Sequence, residues 1–346
     1  ALSNDDGGGD LYFWDSKSGR TTKVSGTPAN AFANDLLPPL WTADGARLYL
    51  TGANKRVWRV DASAGTGSQL AGDYPDTSIV LAKSGSEQVA SGPTGSAIYV
   101  SFAKPDESRN GLAKLDSESG KVLITLESEQ VYGSIFSAPA MTADGQSIMF
   151  EAQSAHQGDD LWVTGQALTA AKRVSAINPQ LDQYRFGRSQ RVAYTSLDGK
   201  PLHGGVLLPS DYVSGKRYPL MLWVYASNSD TSKSVNRFGL VGMDAFNMQM
   251  LATRGYVVMF PEIPTNKGTP VKDLLNAVNP AIDRLVEMGI ADPDRVAVMG
   301  NSNGGYSTLA LITHSNRFKA AVMNSGFGDL GAFYGTMGGA WIPWLE

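Results

Sequence analysis

The sequence predicts a two-part protein, in which an all-β region is followed by a region of alternating strands and helices. Its 346 residues, 42% of them hydrophobic, are typical of a globular chain of about two domains. A repeat with a period of 50 residues runs through the first half, and strand–helix alternation replaces it in the second. We therefore expect one domain over residues 1–185 and another over residues 186–346.

The repeat is clearest in Trp41–Leu50, which recurs as Met141–Phe150, with a weaker copy at Ser91–Val100 halfway between them. Each copy reads as a turn centred on Asp-Gly or Thr-Gly, followed by an apolar strand. Small turns such as Asp15–Gly19 and Asp116–Gly120 lead into a further β segment. Second strands are expected over residues 11–15, 56–61, 112–116 and 161–163.

Four antiparallel strands in a repeat of this length describe a blade of a β-propeller. Three whole blades and part of a fourth fit into residues 1–180, whereas propellers close with about 4–8 blades. We therefore expect an incomplete propeller of about four visible blades, with others missing upstream. The alternative is an antiparallel sandwich whose turns resemble one another by chance.

Strands separated by helices follow residue 180. We predict strands over 191–196, 204–208, 220–225, 256–260 and 295–299, helices over 244–253, 271–288 and 306–313, and a turn at 292–294. The first two strands form a hairpin across Asp198-Gly199. Such alternation builds a mainly parallel sheet with helices on its faces.

Composition excludes several classes of function. The chain has 29 Lys and Arg against 33 Asp and Glu, a net charge of −4, which predicts neither a nucleic-acid nor a membrane partner. It has no cysteine, which removes disulfides and thiolate catalysis. The three histidines, His156, His203 and His314, show no metal-ligand spacing, so we expect no metal and no cofactor. No apolar run reaches the roughly 18 residues of a membrane span.

The segment Gly300–Tyr306 reads Gly-Asn-Ser-Asn-Gly-Gly-Tyr and lies between a predicted strand and a predicted helix. A serine on such a bend is lifted above the sheet, and small residues two positions either side let the chain turn without clashes. Ser302 is therefore the candidate nucleophile, and the main-chain N–H of Asn303 is a candidate oxyanion donor. The alternative is a glycine-rich turn of a non-catalytic doubly wound protein.

The motif at Ser302–Gly305, together with the buried strand Tyr218–Ala226, resembles the prolyl oligopeptidase family of serine peptidases. Its relatives include dipeptidyl peptidases and acylaminoacyl peptidases. In that family a β-propeller precedes an α/β-hydrolase domain, the same order as the two regions above. The resemblance implies hydrolysis of short peptides through an acyl-enzyme on Ser302, with the propeller restricting access to that serine.

The resemblance also implies roles for four aromatic residues. The hydroxyl of Tyr225 would be the second oxyanion donor, and an apolar specificity pocket would be walled by Phe327, Phe333 and Tyr334. The alternative for Tyr225 is an aromatic at a strand end with a solvated hydroxyl. The alternative for the other three is packing in the core or in a loop.

The serine lacks the partners that an α/β-hydrolase places after it in the order Asp or Glu, then His. In the 44 residues after Ser302 the one histidine is His314, expected at the far end of the helix that follows the serine. We therefore expect a hydrolase domain incomplete at its C-terminus and inactive in isolation. The chain would be a fragment, a piece of a nicked protein whose second chain carries the Asp and His, or a degenerate member that only binds.

Two further functions are open from the sequence. The first is a non-catalytic scaffold that binds peptides or proteins, and the second is an esterase for small acyl substrates that uses the same serine. A peptide substrate is the expected partner, and an oligomer is possible.

Overall fold

A computed structural model describes most of the chain. The described residues are 2–3, 8–28, 32–33, 39–42, 44–52, 54–74, 77–80, 97–104, 109–133, 139–228, 231, 234–241, 246–266 and 268–337. The chain forms two compact units, one of residues 1–152 and 159–177, the other of residues 153–158 and 178–346. In its described part the first unit consists of strands, whereas the second combines strands with helices.

The strands of the first unit form several sheets. Their bounds are β1 (Leu2–Ser3), β2 (Gly8–Asp10), β3 (Tyr12–Trp14), β4 (Thr21–Lys23), β5 (Phe32–Ala33), β6 (Leu40–Trp41), β7 (Arg47–Thr51), β8 (Val57–Asp61), β9 (Thr66–Gln69), β10 (Thr77–Val80), β11 (Ala97–Lys104), β12 (Arg109–Asp116), β13 (Val122–Ser128), β14 (Val131–Tyr132), β15 (Ala140–Met141), β16 (Ser147–Ser154), β17 (Gln157–Gly165) and β18 (Ala171–Arg173). Strands β6–β9 and β10–β13 make two four-stranded antiparallel sheets, as the repeat predicts. Strands β14–β18 make a third sheet, and the predicted second strands are present as β3, β8, β12 and β17.

Consecutive sheets of the first unit pack face to face. Leu48 and Tyr49 of β7 point to opposite faces, because side chains alternate along a strand. Leu48 packs in a cluster with Val24, after β4, whereas Tyr49 packs in another cluster with Ile98 of β11. On the other face of β11, Tyr99 packs with β16. Sheets stacked serially in this way resemble neighbouring blades, whereas each sheet of a two-sheet sandwich buries one face only.

The two clearest copies of the repeat fold into the same turn. In each, the threonine Oγ1 (Thr42, Thr142) donates to the aspartate Oδ1 (Asp44, Asp144) at 2.6 Å. The main-chain N–H two residues after the aspartate donates to the same Oδ1 at 3.0 Å. In the third copy residues 91–96 lie outside the described residues, and the strand that follows them is β11.

A second recurring turn runs from an aspartate to a glycine four residues later, at Asp15, Asp61 and Asp116. The glycine has φ between 62° and 73°, a left-handed conformation that glycine adopts at little cost. Its N–H donates to the aspartate carbonyl at 2.8–3.0 Å. The pKa of each carboxyl lies below its ordinary value, above all because main-chain N–H groups donate to the carboxylate.

The second unit has a six-stranded sheet with helices. Its strands are β19 (Ser189–Thr195), β20 (Pro201–Leu207), β21 (Tyr218–Trp223), β22 (Val257–Pro261), β23 (Ala291–Asn301) and β24 (Ala320–Asn324), and its helices are α1 (Gln249–Ala252), α2 (Pro270–Glu287), α3 (Asn303–His314) and α4 (Leu330–Met337). The strand order is β19-β20-β22-β21-β23-β24. Strands β19, β20 and β22 pair antiparallel, and β22, β21, β23 and β24 pair parallel.

Helices cover both faces of the parallel part of this sheet. Leu222 belongs to a core cluster that contains Leu274 and Ile282 of α2. The next residue of β21, Trp223, points the other way and packs with Ala252 of α1. Strand β24 is exposed along its length on the edge of the described sheet. None of the helices in the described residues combines the length and apolar character that a bilayer crossing needs.

Two local predictions were wrong. The helix expected over 244–253 is limited to α1, because the N–H of Met248 donates to the carbonyl of Gly239 at 3.1 Å rather than continuing a helix; residues 244 and 245 lie outside the described residues. The turn expected at 292–294 is a bulge within β23, since Tyr218 faces Ala291 whereas Leu220 faces Val296.

Candidate active site

Ser302 lies at a sharp bend between β23 and α3, with φ 58° and ψ −120°. Residues other than glycine rarely adopt this conformation, and it persists only where the surroundings impose it. Here the N–H of Ser302 donates to the carbonyl of Asn324 at 2.9 Å, and its own carbonyl accepts from Gly305 at 2.9 Å and Tyr306 at 3.2 Å. The bend is therefore held from the sheet on one side and from the first turn of the helix on the other.

The glycines of the motif allow the helix to approach the sheet closely. A Cβ at Gly300 would overlap the carbonyl oxygen of Gly304, and one at Gly304 would overlap the carbonyl oxygen of Val224. A Cβ at Gly305 would lie 2.7 Å from the Cα of Gly326. Such distances are closer than real Cβ contacts permit, so all three positions require glycine for packing reasons.

The bend brings together a hydroxyl and a free N–H group. Ser302 is exposed, and its Oγ has no hydrogen-bond partner among the described residues. The main-chain N–H of Asn303, the first residue of the twelve-residue helix α3, also has no acceptor within that part of the chain. Free N–H groups and the helix dipole make such an end attractive to negative charge.

Tyr225 lies beside this bend. It follows β21, its side chain is 37% exposed, and no partner for its hydroxyl is found in the described part of the molecule. A Cβ at Gly304 would come within 3.3 Å of its ring. One cavity of about 640 Å³ is lined by Ser302, Asn303 and Tyr225, which were predicted from the sequence as separate site residues.

The same cavity contains a concentration of backbone strain. Three of its lining residues are serines with positive φ: Ser227 at 70°, Ser302 at 58° and Ser325 at 48°. They follow β21, β23 and β24, which are neighbours in the sheet. Positive φ at non-glycine residues is held in place by its surroundings and clusters at functional sites.

Aromatic rings form one wall of the cavity. Phe327 and Phe333 line it, and Tyr306 stacks behind Phe327 with ring centroids 5.3 Å apart. Burial raises the pKa of the Tyr306 hydroxyl. Tyr334, on the exposed side of α4, is 39% exposed and does not line the cavity. Of the three aromatic residues predicted to wall the pocket, two, Phe327 and Phe333, therefore lie in the cavity that contains the serine.

Sequence reasoning missed several lining residues, namely Ser227, Asn228, Phe260 and Ser325. Each lies at or just beyond the carboxyl end of a parallel strand. The signal that could have found them is the rule that ligands bind where the carboxyl ends of parallel strands meet. It requires the spatial order of the strands, which no local pattern in the sequence reveals.

No histidine of the chain lies at this cavity. His314 ends α3, with Nδ1 2.9 Å from the carbonyl oxygen of Ala310. Twelve residues of helix place it about 18 Å from Ser302 along the axis. His203 is on β20, three strands from β23, or about 14 Å across the sheet; His156 lies in the exposed turn between β16 and β17. Among the described residues no three His, Asp or Glu side chains are grouped as metal ligands.

Comparison with known proteins places this geometry in context. A sequence model of the Prolyl oligopeptidase family matches residues 263–345, the stretch that contains the serine bend. The chain is 24% identical over 267 residues to dipeptidyl-peptidase 5 of Porphyromonas gingivalis, covering 72% of this chain and 36% of that protein.

Solved structures show the same fold. The acylaminoacyl peptidase of Pyrococcus horikoshii matches 94% of this chain with a TM-score of 0.63 and 16% identity, over 49% of its own length. A prolyl endopeptidase structure matches 97% of this chain with a TM-score of 0.69 and 16% identity, over 48% of its own length. The chain thus spans about half of these structures and has the propeller and α/β-hydrolase fold class. The resemblance drawn from the motifs is confirmed: the match to the Prolyl oligopeptidase family covers residues 263–345, which include the serine bend.

Proposed function

We propose that this chain carries the nucleophile and the oxyanion donors of a serine peptidase that cleaves peptide bonds in short peptides. The observation that carries the proposal is the exposed hydroxyl of Ser302, on a strained bend beside the free N–H of Asn303. The match of residues 263–345 to the Prolyl oligopeptidase family, and the similarity to proteins named as dipeptidyl and acylaminoacyl peptidases, support the reaction class.

The proposed reaction begins when Ser302 Oγ attacks the carbonyl carbon of the scissile bond and gives its proton to a base. The carbonyl oxygen takes the negative charge and accepts hydrogen bonds from the Asn303 N–H and the Tyr225 hydroxyl. The C–N bond then breaks, the base returns the proton to the leaving amine, and water later hydrolyses the acyl-enzyme. Each oxyanion donor would lower the barrier by about 2.7–4 kcal/mol.

The cavity supports recognition of an apolar side chain. Phe327 and Phe333 line the cavity that contains the serine, and burying an apolar group against their rings stabilises the bound substrate. Tyr334 does not line the cavity, and we propose that it contacts substrate residues that project out of the cavity.

The proposed base and its carboxylate come from polypeptide beyond residues 1–346, in the same protein or on a second chain. The positions of His156, His203 and His314 support this, since none lies at the cavity. Strand β24 offers a surface for such a segment, with Val322 49% and Met323 44% exposed on a sheet edge. Polypeptide packed against β24 would have only that strand between it and β23, the strand that leads into Ser302.

We also propose the two domains that the sequence predicts. Residues 1–185 form the propeller, and residues 186–346 form part of the hydrolase domain. The serial packing of the sheets supports the propeller. As the family resemblance implies, the propeller restricts the peptides that reach the serine.

A fluorophosphonate probe tests the proposal. The native protein, purified with any chain that accompanies it, should form one covalent adduct that peptide mapping assigns to Ser302, and Ser302→Ala should form none. A correctly folded protein that gives no adduct refutes the peptidase and esterase functions together, and leaves the binding scaffold. Where an adduct forms, the ratio of kcat/KM on matched peptide amides and esters separates a peptidase from an esterase.

A further inference from the structure

Two side chains of α3 hold both main-chain groups of one residue beside the serine. Asn303 donates Nδ2 to the carbonyl oxygen of Ala226 at 2.9 Å. Ser307 Oγ accepts the N–H of Ala226 at 3.1 Å and donates to the main-chain carbonyl of Asn303 at 2.8 Å. The three bonds close a ring that joins the start of α3 to the loop after β21.

This ring, which we call the Ala226 clamp, is made of satisfied buried groups. Ser307 is fully buried, and Asn303 and Ala226 are 6% and 4% exposed. A hydroxyl has one donor and two acceptor sites, so the two bonds of Ser307 are compatible. Removing either side chain leaves a main-chain group of Ala226 without its partner, away from water.

The clamp acts where the sheet no longer holds the chain. The last hydrogen bond between β21 and β23 is donated by the N–H of Val224 to the carbonyl of Met299 at 2.9 Å. The next main-chain N–H that anchors the chain is that of Ser227, which donates to the carbonyl of Ile263 at 2.9 Å. Between these two anchors lie Tyr225 and the residue that the clamp grips. The position of the Tyr225 ring over the serine bend therefore depends on two side chains of α3.

We propose that Asn303 and Ser307 are positioning residues that hold Tyr225 in place as an oxyanion donor. This inference rests on the proposed function, and it gives Asn303 a second task, since its main-chain N–H is the other donor. One helix thereby supplies one donor directly and sets the position of the other. A misplacement of about 1 Å in such a group can lower a rate about 100-fold.

A double-mutant cycle on the native protein tests the proposal, with the rate constant of fluorophosphonate labelling of Ser302 as the readout. Asn303→Ala removes the clamp bond and keeps the main-chain N–H, so we expect labelling to slow about tenfold or more. In the Tyr225→Phe background the same change should alter the rate less than about twofold, because Tyr225 no longer donates. Equal losses in the two backgrounds would show that Asn303 does not act through Tyr225.

Thr308→Val is the matched control for Ser307→Ala. Both residues are fully buried on α3, and each donates to a carbonyl four residues earlier, but Thr308 has its bond with Gly304 and none with Ala226. Ser307→Ala should slow labelling, whereas Thr308→Val should leave it unchanged. Slowing of equal size in both variants would mean that general loosening of the helix, rather than the clamp, is responsible.

Hydrogen exchange of the Ala226 amide separates failure of this inference from failure of the proposed function. In the unmodified protein and in Thr308→Val this amide should be protected, and in Ser307→Ala it should exchange at least about tenfold faster. If Ser302 is not labelled but the Ala226 amide shows this exchange pattern, the clamp is supported and the proposed peptidase function is refuted. An unchanged exchange rate in Ser307→Ala overturns the clamp whatever the labelling shows.

Discussion

The rings of Phe327 and Phe333 lie 3.9 Å apart between centroids, with 10° between their planes, on the wall of the cavity that contains Ser302. Tyr306 stacks on Phe327 and is itself 8% exposed. Phe327 thus has a ring on each side and packs against the core of the sheet, whereas Phe333 is the last ring of the stack within the described part of the chain. The two phenylalanines should respond differently to truncation.

Phe333→Ala should weaken binding of peptides with an apolar side chain before the scissile bond. Loss of one aromatic contact predicts a rise in KM of about tenfold, with kcat nearly unchanged because the ring would contact the substrate side chain rather than the reacting atoms. Steady-state kinetics on peptides with Phe or Ala at that position measure the effect. Tyr184→Ala, an aromatic residue 63% exposed, is the control; a fall in kcat with constant KM would contradict the pocket role.

Ser302→Gly should be more stable than Ser302→Ala, although neither can form an acyl-enzyme. Alanine keeps the Cβ that is unfavourable at φ 58° and ψ −120°, whereas glycine relieves it. Part of this relief is offset by the greater entropy of glycine in the unfolded chain. We expect a net difference of about 1 kcal/mol in urea unfolding, and equal stabilities would show that the bend is unstrained.

Gly304→Ala should destabilise the protein, whereas Gly335→Ala should not. At Gly304 the new methyl group would overlap the carbonyl oxygen of Val224, so sheet and helix must separate, at about 1–3 kcal/mol or more. At Gly335, inside α4, no atom of the described residues lies within 4 Å of the added methyl group. Alanine there should stabilise the helix by up to about 1 kcal/mol, so opposite shifts in Tm are expected.

Local patterns predicted the parts of this molecule that local forces determine. The turn at Thr42–Asp44 is fixed by hydrogen bonds within six residues, and its copy at Thr142 reproduces them. The hairpin turn at Ser196 in the second unit has a similar pattern that is one residue shorter: Ser196 Oγ donates to Asp198 Oδ1 at 2.5 Å and accepts the N–H of Lys200, four residues on. Because such a turn occurs in both units, its sequence indicates a hairpin but not a blade. The blades were predicted by the regular spacing of the copies.

The parts that were missed depend on distant partners. Residues 246–248 have helical spacing, but the N–H of Met248 bonds to Gly239, which no window of sequence links to it. Ser227, Phe260 and Ser325 reach the cavity only through the strand order of the sheet. The serine bend was accessible from the sequence because strand, nucleophile, glycines and helix follow one another within a dozen residues.

The turn carboxylates of the first unit should make its stability depend on pH below about 4. The pKa of Asp116 is lowered in the folded protein, mainly by the donating N–H of Ser119. A lowered folded pKa contributes stability that is present above the unfolded pKa of about 3.9 and is lost as pH falls through the folded value.

Asp116→Asn tests this dependence. Its Tm should fall furthest below that of the unmodified protein near neutral pH, and the gap should narrow below about pH 4. Asp211→Asn, at an exposed site outside these turns, is the control. Parallel curves of Tm against pH for the unmodified protein and Asp116→Asn would contradict the prediction.

His314→Gln should leave the labelling of Ser302 unchanged, which tests whether the chain itself supplies the base. The imidazole lies at the end of α3 opposite to Ser302, where it contacts Ala310 and Thr313. A base must come within about 2.6–3.2 Å of the hydroxyl whose proton it takes, and the intervening turns of helix prevent this. The labelling rate should stay within about twofold, with a small fall in Tm from the lost bond at the helix end. If labelling disappears while the circular dichroism spectrum and Tm persist, His314 is the base, and the chain must place that helix end at the serine in a way this structure does not have.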